Sequence, residues 1–271
     1  MNWLLVAILG LVLGSFFNVC IWRIPRGESI GYPPSHCPRC NKPIRFYDNI
    51  PVLSYIILRG RCRDCGKPIS IRYPLIESLT ALLFVLAYAR FGLHWALLRG
   101  IVFIGFLIVL AGIDLEHKII PFGLSVAGVV IGLVFSLFSV FRFSFVSALW
   151  GGVLGAGFIL FAWGLWRFIL ARPFRRLGVK RKEGMGWGDV YFAGMLGVFT
   201  GPKGMSVGLG CAVVFGVIVG ILLRILGKTR AGQEVPFGPF LALGGLVGLF
   251  WGEEIFGWYI RTVLPRILFV G

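Results

Sequence analysis

Acidic residues are scarce in this chain: 11 Asp and Glu stand against 27 Lys and Arg in 271 residues, and only four are aspartates. Charged residues of both signs make up 14% of the whole, where ordinary soluble domains carry about 25%. That shortage excludes a water-soluble globule, because too little charge remains to cover a surface. Histidine is also rare, at three residues, and no Ser or Cys is sensibly paired with His117 in sequence, which argues against a nucleophilic triad. No G-x-G-x-x-G fingerprint, low-complexity tract or internal repeat is evident. Met1 to Trp22 lacks both a basic segment before it and a small-residue cleavage site after it, so it is expected to be a retained helix rather than a signal peptide.

What is abundant is apolar, at 58% of residues, in runs that approach or reach the ~20 residues needed to cross a bilayer core. About eight spans are expected, near 2–22, 75–91, 95–113, 122–141, 146–170, 188–200, 204–226 and 237–256, the sixth being short. The fold class is therefore all-α, a polytopic transmembrane helix bundle. Glycine, at 39 residues, reads in lipid as close helix packing, with Gly151–Gly157 as a contact face. A net charge of +16 would suggest nucleic acid in a soluble protein, but its placement points to membrane topology and lipid contact instead. With the N-terminus outside, 21 of the 27 Lys and Arg fall on the cytoplasmic side, as the positive-inside rule requires. They are ten between Arg23 and Arg72, Lys118, seven from Arg167 to Lys182, and Arg224, Lys228 and Arg230. The basic stretch Arg175–Lys182 reads as a topological signal in contact with anionic lipid.

Three domains are expected: a first transmembrane helix over residues 1–22, a cytoplasmic loop domain over 23–73, and a membrane-embedded core over 74–271. The loop is too small to build a large apolar core and needs a staple. Cys37-Pro38-Arg39-Cys40 and Cys62-Arg63-Asp64-Cys65, with 21 residues between the pairs, supply one. Two C-x-x-C turns direct four thiolates at one point and satisfy a tetrahedral Zn ion, whose binding energy folds the loop. Disulfides are the weaker alternative in a reducing cytosol. Four thiolates leave no open coordination position, so the metal is structural. His36 is a competing ligand only if the four-Cys set is incomplete, and Cys20 and Cys211 read as packing residues in apolar helices.

Two of the four aspartates, Asp48 and Asp64, lie in this loop, and the other two stand against apolar runs. Asp114 ends Ile101–Ile113, and Asp189 closes Gly186-Trp187-Gly188-Asp189 at the start of the sixth span. Taken singly, Asp189 can be a helix N-cap and Asp114 an ion-pair partner of Lys118. Taken together on the cytoplasmic side, they suit a proton-sharing aspartyl pair, one carboxylate acting as general base on water and the other as general acid. Glu116 and His117 read as solvated interface residues. Glu77 either lines the site or bonds to the Cys loop. Two rival readings are a transporter or channel that uses the same acids for ions or protons, and an assembly scaffold docked through the loop.

The ordered residues resemble the bacterial type IV prepilin peptidases, also called leader peptidases and N-methyltransferases. Gly14-Ser15-Phe16-Phe17-Asn18-Val19 with Arg23-Ile24-Pro25-Arg26 is similar to the opening of that family, and the Cys pairs with Arg72–Glu77 to its cytoplasmic loop. Asp114 with Pro121, the G-x-G-D at Gly186–Asp189, and Pro236-Phe237-Gly238-Pro239 followed by Phe240–Gly244 complete the match. The resemblance implies an aspartic endopeptidase of the bacterial cytoplasmic (inner) membrane acting on prepilins and type II secretion pseudopilins. It further implies methylation of the new N-terminus with S-adenosylmethionine, for which no residues are singled out. The chain departs from the pattern at Tyr191, where the family often has Lys, and at Phe122, where it often has Asn or Asp.

Overall fold

A computed structural model describes residues 3–138, 144–170, 186–227 and 235–263, and among these every regular element is helical apart from two isolated β-bridges. The basic stretch Arg175–Lys182, together with Lys228 and Arg230, lies outside the described residues. Among the described residues, six helices are long and apolar enough to cross a membrane. A seventh, the apolar Phe122–Leu137, has 16 residues and a length of about 24 Å. The chain divides into two compact units, Met1–Val109 and Leu110–Gly271.

In the first unit α1 (Trp3–Arg23) packs along α3 (Arg72–Phe91), with the four-Cys loop and the short α2 (Leu53–Ile57) between them in sequence. Polar groups in these apolar helices have assigned work, since an unpaired one is costly to bury. Asn18 is buried and its Nδ2 donates to the Gly14 carbonyl at 3.3 Å and the Tyr73 carbonyl at 3.2 Å. Buried Arg23 donates to the Ser29 and Pro33 carbonyls at 2.9 and 2.7 Å, which ties the loop's first residues to the end of α1. The unit boundary falls inside α4 (Trp95–His117).

The second unit is arranged around α7 (Trp187–Ile225), which packs against α5 (Phe122–Leu137), α6 (Phe145–Leu165) and α8 (Gly238–Trp258). Phe192, Met195, Leu196, Phe199, Met205 and Leu209 of α7 are buried among them. The expected segments 188–200 and 204–226 join as this one element of 39 residues, broken at Gly201, whose φ of 69° and ψ of 178° are not helical. Only glycine adopts that φ without strain, and Pro202 restarts the helix where its missing N–H costs nothing. With α5 counted and α7 taken as two halves, each of the eight apolar runs corresponds to a helix.

The expected contact face Gly151–Gly157 is where α6 meets α7. A Cβ on Gly151 would overlap the Gly197 carbonyl and one on Gly197 the Gly151 carbonyl, so the two backbones touch. Such an approach maximises dispersion contact where the hydrophobic effect gives no preference between helix and lipid. The outward faces carry exposed Leu, Ile, Val and Trp, among them Trp150, Val153, Phe161 and Ile221, as a lipid-facing surface requires.

Gly197→Ala therefore places a methyl group in an occupied carbonyl and is expected to lower stability by about 1–3 kcal/mol. Gly210→Ala, at a helical position with nothing within 4 Å of the new Cβ, is expected to be neutral or stabilising by up to ~1 kcal/mol. Thermal unfolding of both variants in detergent checks the contrast, and equal shifts would contradict the close contact.

Candidate active site and metal centre

The last turn of α4 carries Asp114 to the end of an apolar helix, where Lys118 stops the helix by adopting φ 54°. The Lys118 N–H still bonds the Asp114 carbonyl at 2.9 Å, so the break comes one turn after the carboxylate. Asp189 lies in the first turn of α7, and its own Oδ2 accepts from the Gly186 N–H at 3.0 Å while its N–H donates to the Gly186 carbonyl. The N-cap is Gly186 rather than Asp189 as expected; Asp189 is the third residue of the helix and its carboxylate bonds back to the cap N–H, which does not exclude a second role. For Asp114 the bond seen is not to Lys118. Its Oδ2 accepts from the N–H of Gly238, the first residue of α8, at 2.8 Å.

Both carboxylates are buried, and both line one cavity of about 360 Å³. A water occupies roughly 30 Å³, so the space admits a peptide segment together with a water. Its walls are Lys118, Ile119 and Ile120 from the turn after α4, Gly186 and Gly188 from the start of α7, and Val235, Pro236 and Phe237 before α8. A Cβ at Gly188 would stand 2.7 Å from the Ile120 Cβ, so the absent side chain is what lets the turn after α4 lie on the start of α7. Two acids and a wall of mixed character, in which Lys118 and backbone groups stand beside Ile119, Ile120, Val235 and Phe237, suit proton transfer on a peptide. Glu116 and His117 do not line this cavity; they approach each other at 3.9 Å at the end of α4.

Sequence reasoning matched Pro236–Gly244 only as part of a pattern and missed that its Gly238 N–H holds Asp114. No local signal marks a backbone donor 124 residues away from its acceptor. A methyl on Gly238 would sit 2.6 Å from Asp114 Oδ2, which accounts for glycine at that place.

In the first unit the sulfurs of Cys37, Cys40, Cys62 and Cys65 all lie within 4.8 Å of one another. Contrary to expectation, the loop does contain an internal repeat: Cys37-Pro38-Arg39-Cys40-Asn41-Lys42-Pro43-Ile44 answers to Cys62-Arg63-Asp64-Cys65-Gly66-Lys67-Pro68-Ile69. It is short and its matching residues are interrupted, which hid it. The backbone repeats too. The N–H of Cys37 bonds the Lys42 carbonyl as that of Cys62 bonds Lys67, Asn41 and Gly66 bond back to Cys37 and Cys62, and Ile44 and Ile69 bond Ser35 and Gly60. Asn41 and Gly66 share a left-handed φ of 56° and 66°, available to these two residue types at least cost.

Burial pushes the Cys37 thiol up, but hydrogen bonds from the Arg39 and Cys40 backbones prevail and bring it down to about 7. Lys42 of the first knuckle pairs with Asp64 of the second at 3.3 Å, and Asp48, in the segment between them, accepts from Arg63 Nε and Nη2 at 2.8 and 2.6 Å, a guanidinium that holds the carboxyl below its usual range. Glu77 settles on the second of its two expected roles. Buried in α3, its Oε2 accepts from the Val52 N–H at 2.7 Å and so fastens the loop to the helix pair.

Known proteins resemble this sequence over most of its length. Residues 8–91 match the bacterial peptidase A24 N-terminal domain, and residues 101–221 match the type IV leader peptidase family. A protein of Myxococcus xanthus is 40% identical over 84% of this chain, which spans 64% of that relative's length. One of Aeromonas hydrophila is 36% identical over 96% of this chain and 94% of its own, and one of Pseudomonas aeruginosa 33% identical over 94% and 92%. All three bear the name prepilin leader peptidase/N-methyltransferase. No solved structure matches the chain.

A four-sulfur cluster of this geometry predicts one tightly held metal ion per chain in elemental analysis of the purified protein, lost in Cys62→Ser. A folded preparation without metal would contradict it.

Proposed function

This chain belongs to the type IV leader peptidase family, and we propose that Asp114 and Asp189 are its catalytic pair, cutting the leader from prepilins and type II secretion pseudopilins. The same protein methylates the newly exposed N-terminal residue. The observation that carries the reading is that the two aspartates outside the Cys loop, 75 positions apart in sequence, line one cavity, each oriented through a backbone N–H.

Two carboxyls facing one small space cannot both ionise cheaply, so they hold one proton between them. The ionised member takes a proton from water as the water attacks the scissile carbonyl. The protonated member gives its proton to the carbonyl oxygen, and the roles reverse as the amine leaves. The N–H of Gly188, in the first turn of α7, offers a hydrogen bond to an extended peptide, and Ile119, Ile120, Val235 and Phe237 receive the hydrophobic residues beyond the cut. Placing the site at the end of membrane helices suits a substrate whose basic leader is in water and whose apolar helix is in lipid. The excess of Lys and Arg in one set of connecting segments supports a reading in which that end faces the cytoplasm and the N-terminus lies outside.

The four cysteines fit a structural zinc ion. A tetrahedral ion with Zn–S near 2.3 Å separates its sulfurs by roughly 3.8 Å, and Cys37 and Cys65 already lie 3.9 Å apart. Four thiolates would fill its coordination, so it would fold the loop and take no part in cleavage. Methylation uses S-adenosylmethionine, which supplies an activated methyl group, and no described residues stand out as its binding site.

Asp114→Asn and Asp189→Asn are each expected to lower leader cleavage by about 10²–10⁴-fold or more, while metal content and thermal unfolding stay near those of the parent. Intact mass of a pilin precursor, incubated with and without S-adenosylmethionine, reads cleavage and methyl transfer together. Cleavage retained in either variant would remove that aspartate from the pair.

A further inference from the structure

The turn that leaves Asp114 is fastened to α7 at a second place beyond the Ile120–Gly188 contact. Phe122 opens α5 and Tyr191 lies two residues after Asp189 on α7. Their ring centroids are 4.8 Å apart with planes at 73°, an edge-to-face pair. Phe122 follows Asp114 by eight positions, so the chain leaving one aspartate is caught on both sides of the other, at Gly188 and at Tyr191.

Phe122 is 59% exposed, so core filling does not explain its aromatic ring. What it touches is Tyr191.

We propose that Phe122 and Tyr191 form a clasp that sets the position of Asp114 relative to Asp189 for leader cleavage. Both are positioning residues, acting through the turn at 118–121 and the first turn of α7. The inference rests on the aspartyl reading above. Displacing a catalytic group by about 1 Å costs on the order of 100-fold in rate, so a clasp of this kind is read in kcat more than in KM.

The test is a charge-for-ring exchange in the full-length protein. Phe122→Asp and Tyr191→Lys each remove the ring contact, and the double variant replaces it with an ion pair at the same two positions. Each single variant is expected to lose about 10- to 100-fold in kcat on a pilin precursor with KM within about twofold, and the double variant to recover to within about threefold of the parent. Tyr191→Phe, which keeps the ring, is expected to retain at least about half of kcat.

Single variants that cut at the parental rate, or a double variant no better than the product of the singles, would overturn the clasp. Melting temperatures of the same four proteins provide a readout without substrate. Losses in the singles that the double recovers support the coupling, and additive shifts overturn it. That cycle judges the clasp even if the parent leaves precursor uncut, a result that would instead sink the proposed function.

Discussion

A carboxylate at the end of a membrane-spanning helix has little water to solvate it, and that cost shapes the second unit more than any other term. Nothing in the apolar body of α4 or α7 can supply the lost hydrogen bonds. The donors come from helix starts, where backbone N–H groups have no partner within the helix. Asp189 uses the N–H at the start of its own helix and Asp114 uses that of α8. The arrangement satisfies both groups at once and costs no additional charge. It also fixes architecture: α8 must begin at the end of α4, and the turn at 118–121 must run close over the start of α7. Glycine at 188 and 238 follows from that crowding rather than from a need for flexibility.

The first unit meets a different constraint, that of holding a polar loop of little apolar content on two apolar helices. Three buried polar groups perform the attachment. Arg23 binds the start of the loop, Asn18 bonds the carbonyl of Tyr73 at its end, and Glu77 holds Val52 in its middle. Arg23 and Glu77 thereby satisfy loop backbone groups that no helix or sheet serves. The four-cysteine cluster is then left to organise only the segments between these anchors.

Most of this arrangement could be read from residue order. Apolar runs gave the helices because length and hydropathy alone decide what spans a bilayer, and the two C-x-x-C pairs gave the cluster because thiol spacing limits geometry. Asp114 and Asp189 stood out because acids in apolar runs are rare. The partners of these residues were not legible. Gly238 acts through its backbone, which no residue type announces, and Glu77 offered two roles that only the position of Val52 separates. The continuous run through Gly201 was hidden because glycine followed by proline reads equally as a loop between two helices.

The repeated knuckles make the metal loop an internal dimer. Each half offers two sulfurs, and neither can complete a tetrahedral shell alone. The segment between them makes their meeting an intramolecular event, with an effective concentration fixed by its length rather than by how much protein is present. Filling the cluster is therefore all or none: a chain that loses one knuckle keeps no half-strength version of the other. One lesion in eight residues thereby frees both knuckles at once and leaves the loop held only where Arg23, Asn18 and Glu77 bond it.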